Sequence, residues 1–160
     1  MAQDNWERMI RLAEEFFDAK NDPEQIAVDE AVMEKLRALD AASLGEEHDD
    51  QGPIAWVLAI PTTEAVMRRF LQGAISERQL LDETKAGQVY DAIYLCSALV
   101  LPEHRQRGIA KKVTLKSIRE ICTRHPIKNL FYWPFSEEGR KLAESVAALA
   151  QLPLLGRASK

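Results

Sequence analysis

The sequence predicts a single α/β (or α+β) domain over residues 1–160, with one main sheet flanked by helices and an N-terminal helical pair over 1–40. Two observations predict this. Segments with apolar residues at helical spacing alternate with short, continuous apolar runs, the pattern of helices interleaved with buried strands. The chain's 160 residues also suit one domain and suffice to bury a core without staples. Cys96 and Cys122 are the only cysteines and make no disulfide framework, so a reducing, cytoplasmic setting is expected. Three scattered His and two Cys do not make a zinc cage, and no metal is expected. No apolar run approaches the ~20 residues of a membrane span. The first seven residues lack the basic and apolar parts of a signal peptide, so no membrane partner is expected.

The elements follow in order. Trp6, Met9, Ile10, Ala13, Phe16 and Phe17 recur at helical spacing and predict a helix over 5–19. Asp4 and Glu7 mark its start, and Asn21-Asp22-Pro23 breaks the pattern. Val32, Met33, Leu36 and Leu39 predict a second helix over 29–39. A weak strand at 42–46 leads through the turn residues Asp49-Asp50-Gln51-Gly52 into Ile54–Ile60. That apolar run reads as a strand buried on both faces, bracketed by Pro53 and Pro61, and the two strands form a hairpin. Thr63 and Ser76 cap short helices over 63–72 and 76–83, separated by Gly73. Residues 89–101 are the strongest strand and end at Pro102. A basic amphipathic helix over 106–124, a strand over 129–133 closed by Pro134, and a helix over 136–149 complete the pattern. The tail 151–160 is short.

Charge is spread unevenly. Residues 1–50 carry a net −10, residues 51–100 a net −1 and residues 101–160 a net +7. The asymmetry suggests an anionic ligand for the C-terminal part. Leu99 to Lys112 is the stretch suited to one: a strand, a tight turn, a basic loop, then a helix that starts with small residues. A helix N-terminus leaves backbone N–H groups unpaired and carries positive partial charge. Gly108 and Ala110 leave room for a phosphate to reach that backbone, and Arg105, Arg107, Lys111 and Lys112 surround it with charge. The three-glycine dinucleotide fingerprint is not present, nor is the G-K-[ST] of a P-loop.

Val100-Leu101-Pro102-Glu103-His104-Arg105, followed by Arg105-Gln106-Arg107-Gly108-Ile109-Ala110 opening a helix, resembles the acetyl-coenzyme A binding motif of the GCN5-related N-acetyltransferase (GNAT) family. The resemblance covers about residues 41–150. It implies a GNAT-like mixed sheet, splayed after the main strand. It also implies acetyl-CoA as cosubstrate and no metal. The pantetheine arm would pair with the backbone of Leu99, Val100 and Leu101. The pyrophosphate would sit on the amides from Arg107 to Lys111, and Arg105, Gln106, Gly108, Ile109, Ala110 and Ser136 would complete the coenzyme A site. The chain departs from the family in its opening helices and in the length of the helical insertion at 63–83. Ser136 or Gly139 stands near the place of a family Asn, and Ala143 and Ala147 lie in the turns where the family carries a Tyr. The closing hairpin of the family is cut down to Leu152–Arg157.

Acyl transfer to an amine needs a base. Strand alternation puts Tyr94, Cys96 and Ala98 on one face and Ile93, Leu95, Ser97 and Leu99 on the other. Tyr94 falls near the level of the family's base; the competing role is packing. Cys96 is a candidate acyl-carrying nucleophile, against an inert buried thiol. Glu103 reads as a helix-start carboxylate, His104 as a loop residue, and Tyr132 and Trp133 as pocket lining or core. Asp49 and Asp50 read as a solvated turn. The expected function is therefore an acetyl-CoA-dependent N-acetyltransferase acting by direct attack of a primary amine of a small molecule or protein. The alternative is a degenerate acyl-CoA-binding sensor or regulatory module. The acidic overall charge weighs against nucleic acid as a partner, and a homodimer stays open.

Overall fold

The computed structural model describes residues 4–16, 30–134 and 136–157. Five strands form one mixed sheet whose spatial order, β1-β2-β3-β4-β5, repeats the chain order. β1 (Leu44–Asp49), β2 (Gly52–Thr62) and β3 (Ala92–Val100) are antiparallel neighbours. β4 (Asn129–Tyr132) and β5 (Leu154–Gly156) each run parallel to the strand before them. Parallel neighbours need a crossover, and α5 (Ile109–Arg124) and α6 (Glu137–Ala150) supply the two. These helices cover one face, where Ile118, Ile121 and Val146 meet Ala59, Ile93 and Leu130. The other face is covered by α2 (Glu30–Leu39), α3 (Glu64–Leu71) and α4 (Glu77–Glu83), around Leu36, Phe70, Leu80, Tyr94 and Phe131. Among the described residues, no helix is long and apolar enough to cross a membrane.

α1 (Asn5–Phe16) packs over the far end of β2 and β3, with Met9 against Trp56, Leu99 and Leu101. The helix expected over 5–19 is described to Phe16; Phe17 and the Asn21-Asp22-Pro23 break lie outside the described residues. Asn5 pins the helix to the hairpin turn, donating from Nδ2 to Asp49 Oδ1 at 2.8 Å and to the Gly52 carbonyl at 3.3 Å. Arg8 Nη2 donates to Glu103 Oε1 at 2.5 Å. Glu103 thus stands in the first turn of a short 3-10 helix, Pro102–His104, as a helix-start carboxylate, and is also the ion-pair partner of α1. This bond is the main cause holding the Glu103 carboxyl at about 2, from an ordinary 4.5. A carboxylate whose pKa falls on folding adds stability that is complete above its unfolded pKa and fades as pH drops toward the folded one. Acid between about pH 4.5 and about 2 is therefore expected to loosen α1 in low salt, read as a change in Trp fluorescence because Trp6 lies 5.7 Å from Trp56. Glu103→Gln should remove that step; an unchanged step would assign it to another group.

Ile54 to Ile60 is buried on both sides of the sheet, as the apolar run predicts. Pro53 and Pro61, expected as brackets, lie inside β2. Each sits where the ladder needs no N–H from it. Pro53 follows the hairpin turn, beside an irregularity in the β1 pairing. Thr62 accepts from Asp91 N–H on the β3 side, so Pro61, one residue earlier, turns its nitrogen toward β1. β1 has already ended there, at the Leu44–Leu58 pair. Thr63 and Ser76 cap α3 and α4 as expected, Ser76 in a reciprocal capping box with Gln79. The short tail contains a strand that periodicity did not predict: β5 adds three residues to the outer edge of β4.

Candidate functional site

β3 is nine residues long, but β4 pairs only with its first four, Ala92 to Leu95. From Cys96 to Val100 the edge of β3 that faces away from β2 has no strand partner among the described residues. A cleft of about 900 Å³ opens along this edge. Leu95 to Val100 form one wall, Tyr132, Trp133 and Leu142 the other, and the start of α5 lies at its mouth.

The backbone of this edge can be read from two bonds. Leu101 N–H donates to the Ile54 carbonyl of β2 at 2.9 Å. The Val100 carbonyl, on the opposite side of that peptide, points to the free edge, where Arg105 Nε donates to it at 3.0 Å. Since N–H and C=O groups alternate between edges, Ala98 and Val100 present theirs to the cleft, while Leu99 and Leu101 spend theirs on β2. This corrects the expectation of a continuous Leu99–Leu101 contact. Leu101 is buried against Met9 and Trp56 and does not line the cleft.

A second correction concerns the faces of β3. Leu58 pairs with Ser97, yet Ala59 pairs with Leu95, so Cys96 is an extra residue in the ladder, a β-bulge. Past a bulge the alternation changes phase. Tyr94 and Cys96 pack with the α3–α4 core, and Leu99 packs with Trp56 against Met9 of α1, whereas Ala98 turns to the α5 face beside Val57. Strict alternation had put Ala98 with Tyr94.

α5 starts as the basic loop predicts, but three residues later. Gln106 and Gly108 both have left-handed backbones, φ 64° and 74°, which cannot continue into a helix and hold the start at Ile109. Gly108 is the N-cap and offers no side chain, so the amides of Ile109, Ala110 and Lys111 have neither an intrahelical partner nor a side-chain cap. No acidic residue stands in the first turn. Arg105, Gln106, Gly108, Ile109, Ala110 and Lys111 all line the cleft. Arg107 lies outside it, donating to His104 Nδ1 at 3.2 Å, in a smaller adjoining pocket shared with Glu47 and Asp49. On the opposite wall Ser136 lines the cleft, and its Oγ accepts from Gly139 N–H at 3.0 Å to cap α6.

The two residues expected to carry chemistry are placed differently. Tyr94 does not line the cleft. It is fully buried against Phe70 and Phe131, and its hydroxyl donates to Glu77 Oε2 at 2.5 Å. Burial first, and the Glu77 carboxylate second, push its pKa well above the usual value of 10. A phenol so held is a poor base. Tyr94→Phe is therefore expected to cost about 1–3 kcal/mol of stability in urea unfolding, the cost of a hydrogen bond lost to a buried acceptor, and to leave ligand binding in the cleft unchanged. A change in affinity at unchanged stability would return Tyr94 to the site. Cys96 does line the cleft. Burial and Glu77 raise its thiol well above 9, so it stays protonated, while the thiolate is the nucleophilic form.

Sequence reasoning missed Glu77 and Arg157. Glu77 opens α4 and is 3% exposed. Arg157 follows β5 and is 6% exposed. Its guanidinium carbon lies 4.5 Å from the Phe70 ring centre and 4.3 Å from that of Trp133. No local signal marks either as buried, because both are brought inward by elements remote in the chain. Among the described residues no cluster of His, Cys, Asp and Glu could hold a metal ion. Comparisons with protein-family models, curated proteins and solved structures find no match to this chain.

Proposed function

We propose that the chain is an acyl-coenzyme A-dependent N-acyltransferase, with acetyl-CoA as cosubstrate and a primary amine as acceptor. One observation carries the reading. β3 and β4 run parallel and part after Leu95 and Tyr132, so a free strand edge leads directly to the uncapped amides of α5. This arrangement fits a ligand that is an amide-bearing extended arm at one end and a pyrophosphate at the other. The arm can add to the Ala98–Val100 edge as a strand would. The pyrophosphate meets the Ile109–Lys111 amides and the charges of Arg105 and Lys111. The thioester then lies near Cys96, where the strands part.

In the proposed reaction the neutral amine nitrogen attacks the thioester carbonyl carbon. The C–N bond forms, the C–S bond breaks, the amine proton is lost to water, and coenzyme A leaves as a thiolate that water or solvent acid protonates. Free-edge N–H groups supply donors for the developing oxyanion, and orientation supplies much of the rate. A second reading, an acyl-CoA-binding module without turnover, is favoured by one specific observation: neither Tyr94 nor Cys96 offers a base in the cleft. Calorimetry with coenzyme A tests the shared part, and absence of binding would overturn both readings. Thiol release from acetyl-CoA against a panel of amines separates them. Release that needs the amine supports transfer; binding without release supports the sensor.

A further inference from the structure

Arg157 sits in a setting that its fold role does not require. Its guanidinium sits in the corner formed by the Phe70 and Trp133 rings, whose centres are 6.0 Å apart and whose planes are nearly perpendicular. Nη2 donates to the Ile75 carbonyl at 3.3 Å, while Nη1 is buried and makes no hydrogen bond among the described residues. Burying a cation with one nitrogen unsatisfied is costly, and an apolar side chain would close the same gap without that penalty. The surroundings, in contrast, are those that bind cations: two aromatic rings, the Ile75 carbonyl, and the buried carboxylate of Glu77 two residues further along the chain. Arg157 lies against Phe70, Phe70 meets the Tyr94 ring at 5.0 Å, and the Tyr94 hydroxyl donates to Glu77 Oε2, so the four side chains form one connected cluster.

This cluster adjoins the cleft. Trp133, whose ring carries Arg157, also lines the cleft, and so does Cys96, two residues along β3 from Tyr94. The segment that delivers Arg157 is slight. β5 has three residues, Leu155 and Gly156 are exposed, and the Arg157 N–H donates to the Tyr132 carbonyl at 2.9 Å.

We propose that Phe70, Trp133 and Glu77 form the cation subsite for the acceptor, selective for an alkylammonium or alkylguanidinium end group, and that Arg157 on β5 is its displaceable internal occupant. The word acceptor rests on the acyl-transfer reading; the cation subsite does not. An incoming alkylammonium on an unbranched stalk replaces the guanidinium beside the rings, next to the end of the cleft where the thioester is proposed to lie, and gives up a proton to water there before the neutral amine attacks. If the amine is carried by an extended peptide, the peptide also replaces β5 on the edge of β4.

The test uses the full chain with Arg157→Gln and Arg157→Lys. Binding of butylguanidinium and butylamine is measured by calorimetry, with neutral pentanamide as control and the peptide acetyl-Leu-Leu-Gly-Lys-amide as a separate arm. Arg157→Gln is expected to bind the cations at least tenfold tighter than the native chain or Arg157→Lys, and pentanamide no better. A further gain for the peptide over butylamine identifies an extended peptide as the source; equal affinity identifies a small amine. Equal cation affinity in the native chain and Arg157→Gln overturns the proposal, as does no binding to Arg157→Gln. If Arg157→Gln does not fold, recovery of the fold by butylguanidinium but not pentanamide supports the subsite, and equal or no recovery overturns it. With acetyl-CoA present, the amine KM should fall at least tenfold in Arg157→Gln with kcat changed less than threefold. A purely structural arginine would lower thermal stability and leave KM unchanged. Cation binding without any thiol release would refute acyl transfer alone; turnover with unchanged KM would refute the subsite alone.

Discussion

Gly108→Asp is expected to weaken coenzyme A binding at least a hundredfold while leaving the protein folded. Position 108 has φ 74°, where L residues are strained, but Asp tolerates this region better than most. A side chain there meets no heavy atom within 4 Å, so the substitution is open sterically. The new carboxylate stands at the N-cap of α5, where it accepts from the amides of Ala110 or Lys111. It therefore takes the donors a pyrophosphate would use and adds repulsion. Charge-assisted hydrogen bonds are worth about 1.5–3 kcal/mol each, and a hundredfold loss corresponds to about 2.8 kcal/mol. Gly108→Asn, of nearly the same shape and without the charge, should lose roughly a tenth of that factor. Native affinity in a folded Gly108→Asp protein would remove the pyrophosphate from this helix start.

Phe70→Ala is expected to cost about 3–5 kcal/mol, the range for truncating a fully buried Phe, and so a large part of a typical total stability of about 5–15 kcal/mol. Phe70 is 0% exposed, and its ring meets Tyr94 at 5.0 Å, Phe131 at 5.9 Å and Trp133 at 6.0 Å. It ties α3 to two strands at once. Since Phe70 does not line the cleft, coenzyme A affinity should persist in whatever fraction stays folded. Urea unfolding with and without coenzyme A separates the two effects. A cost below about 1 kcal/mol would mean that the aromatic cluster relaxes into the space.

Much of this architecture is legible before any coordinates. The capping box at Ser76 and Gln79, the doubly buried run Ile54–Ile60 and the strand–loop–helix junction at 99–112 are local signals, and the structure keeps each. What sequence could not show depends on partners distant in the chain. The bulge at Cys96 exists only relative to β2, and it reverses which residues of 97–100 face which layer. Pro61 is tolerated in a strand because β1 stops short of it. Tyr94 is the polar residue of the main strand, which made it a candidate for chemistry; the carboxylate that takes its hydroxyl comes from α4, seventeen residues earlier. Arg157 stood in a tail with no periodicity at all.

The identity of chain order and spatial order in the sheet has a consequence for biosynthesis. A strand can join only an edge already made, so a chain emerging from the ribosome can form β1, β2 and β3 with α2, α3 and α4 before β4 exists. Translation at about 5–20 residues per second leaves this intermediate waiting for several seconds. During that wait the outer edge of Ala92–Val100 is exposed along all nine residues, and none of them is charged. Such an edge is a template for pairing with other chains. In the finished protein β4 covers the first four residues and confines the exposure to the short stretch along the cleft. The yield of folded protein is therefore set by how soon 129–132 arrives, and a holdase that shields β3 during the wait is expected to raise it more than any gain in equilibrium stability.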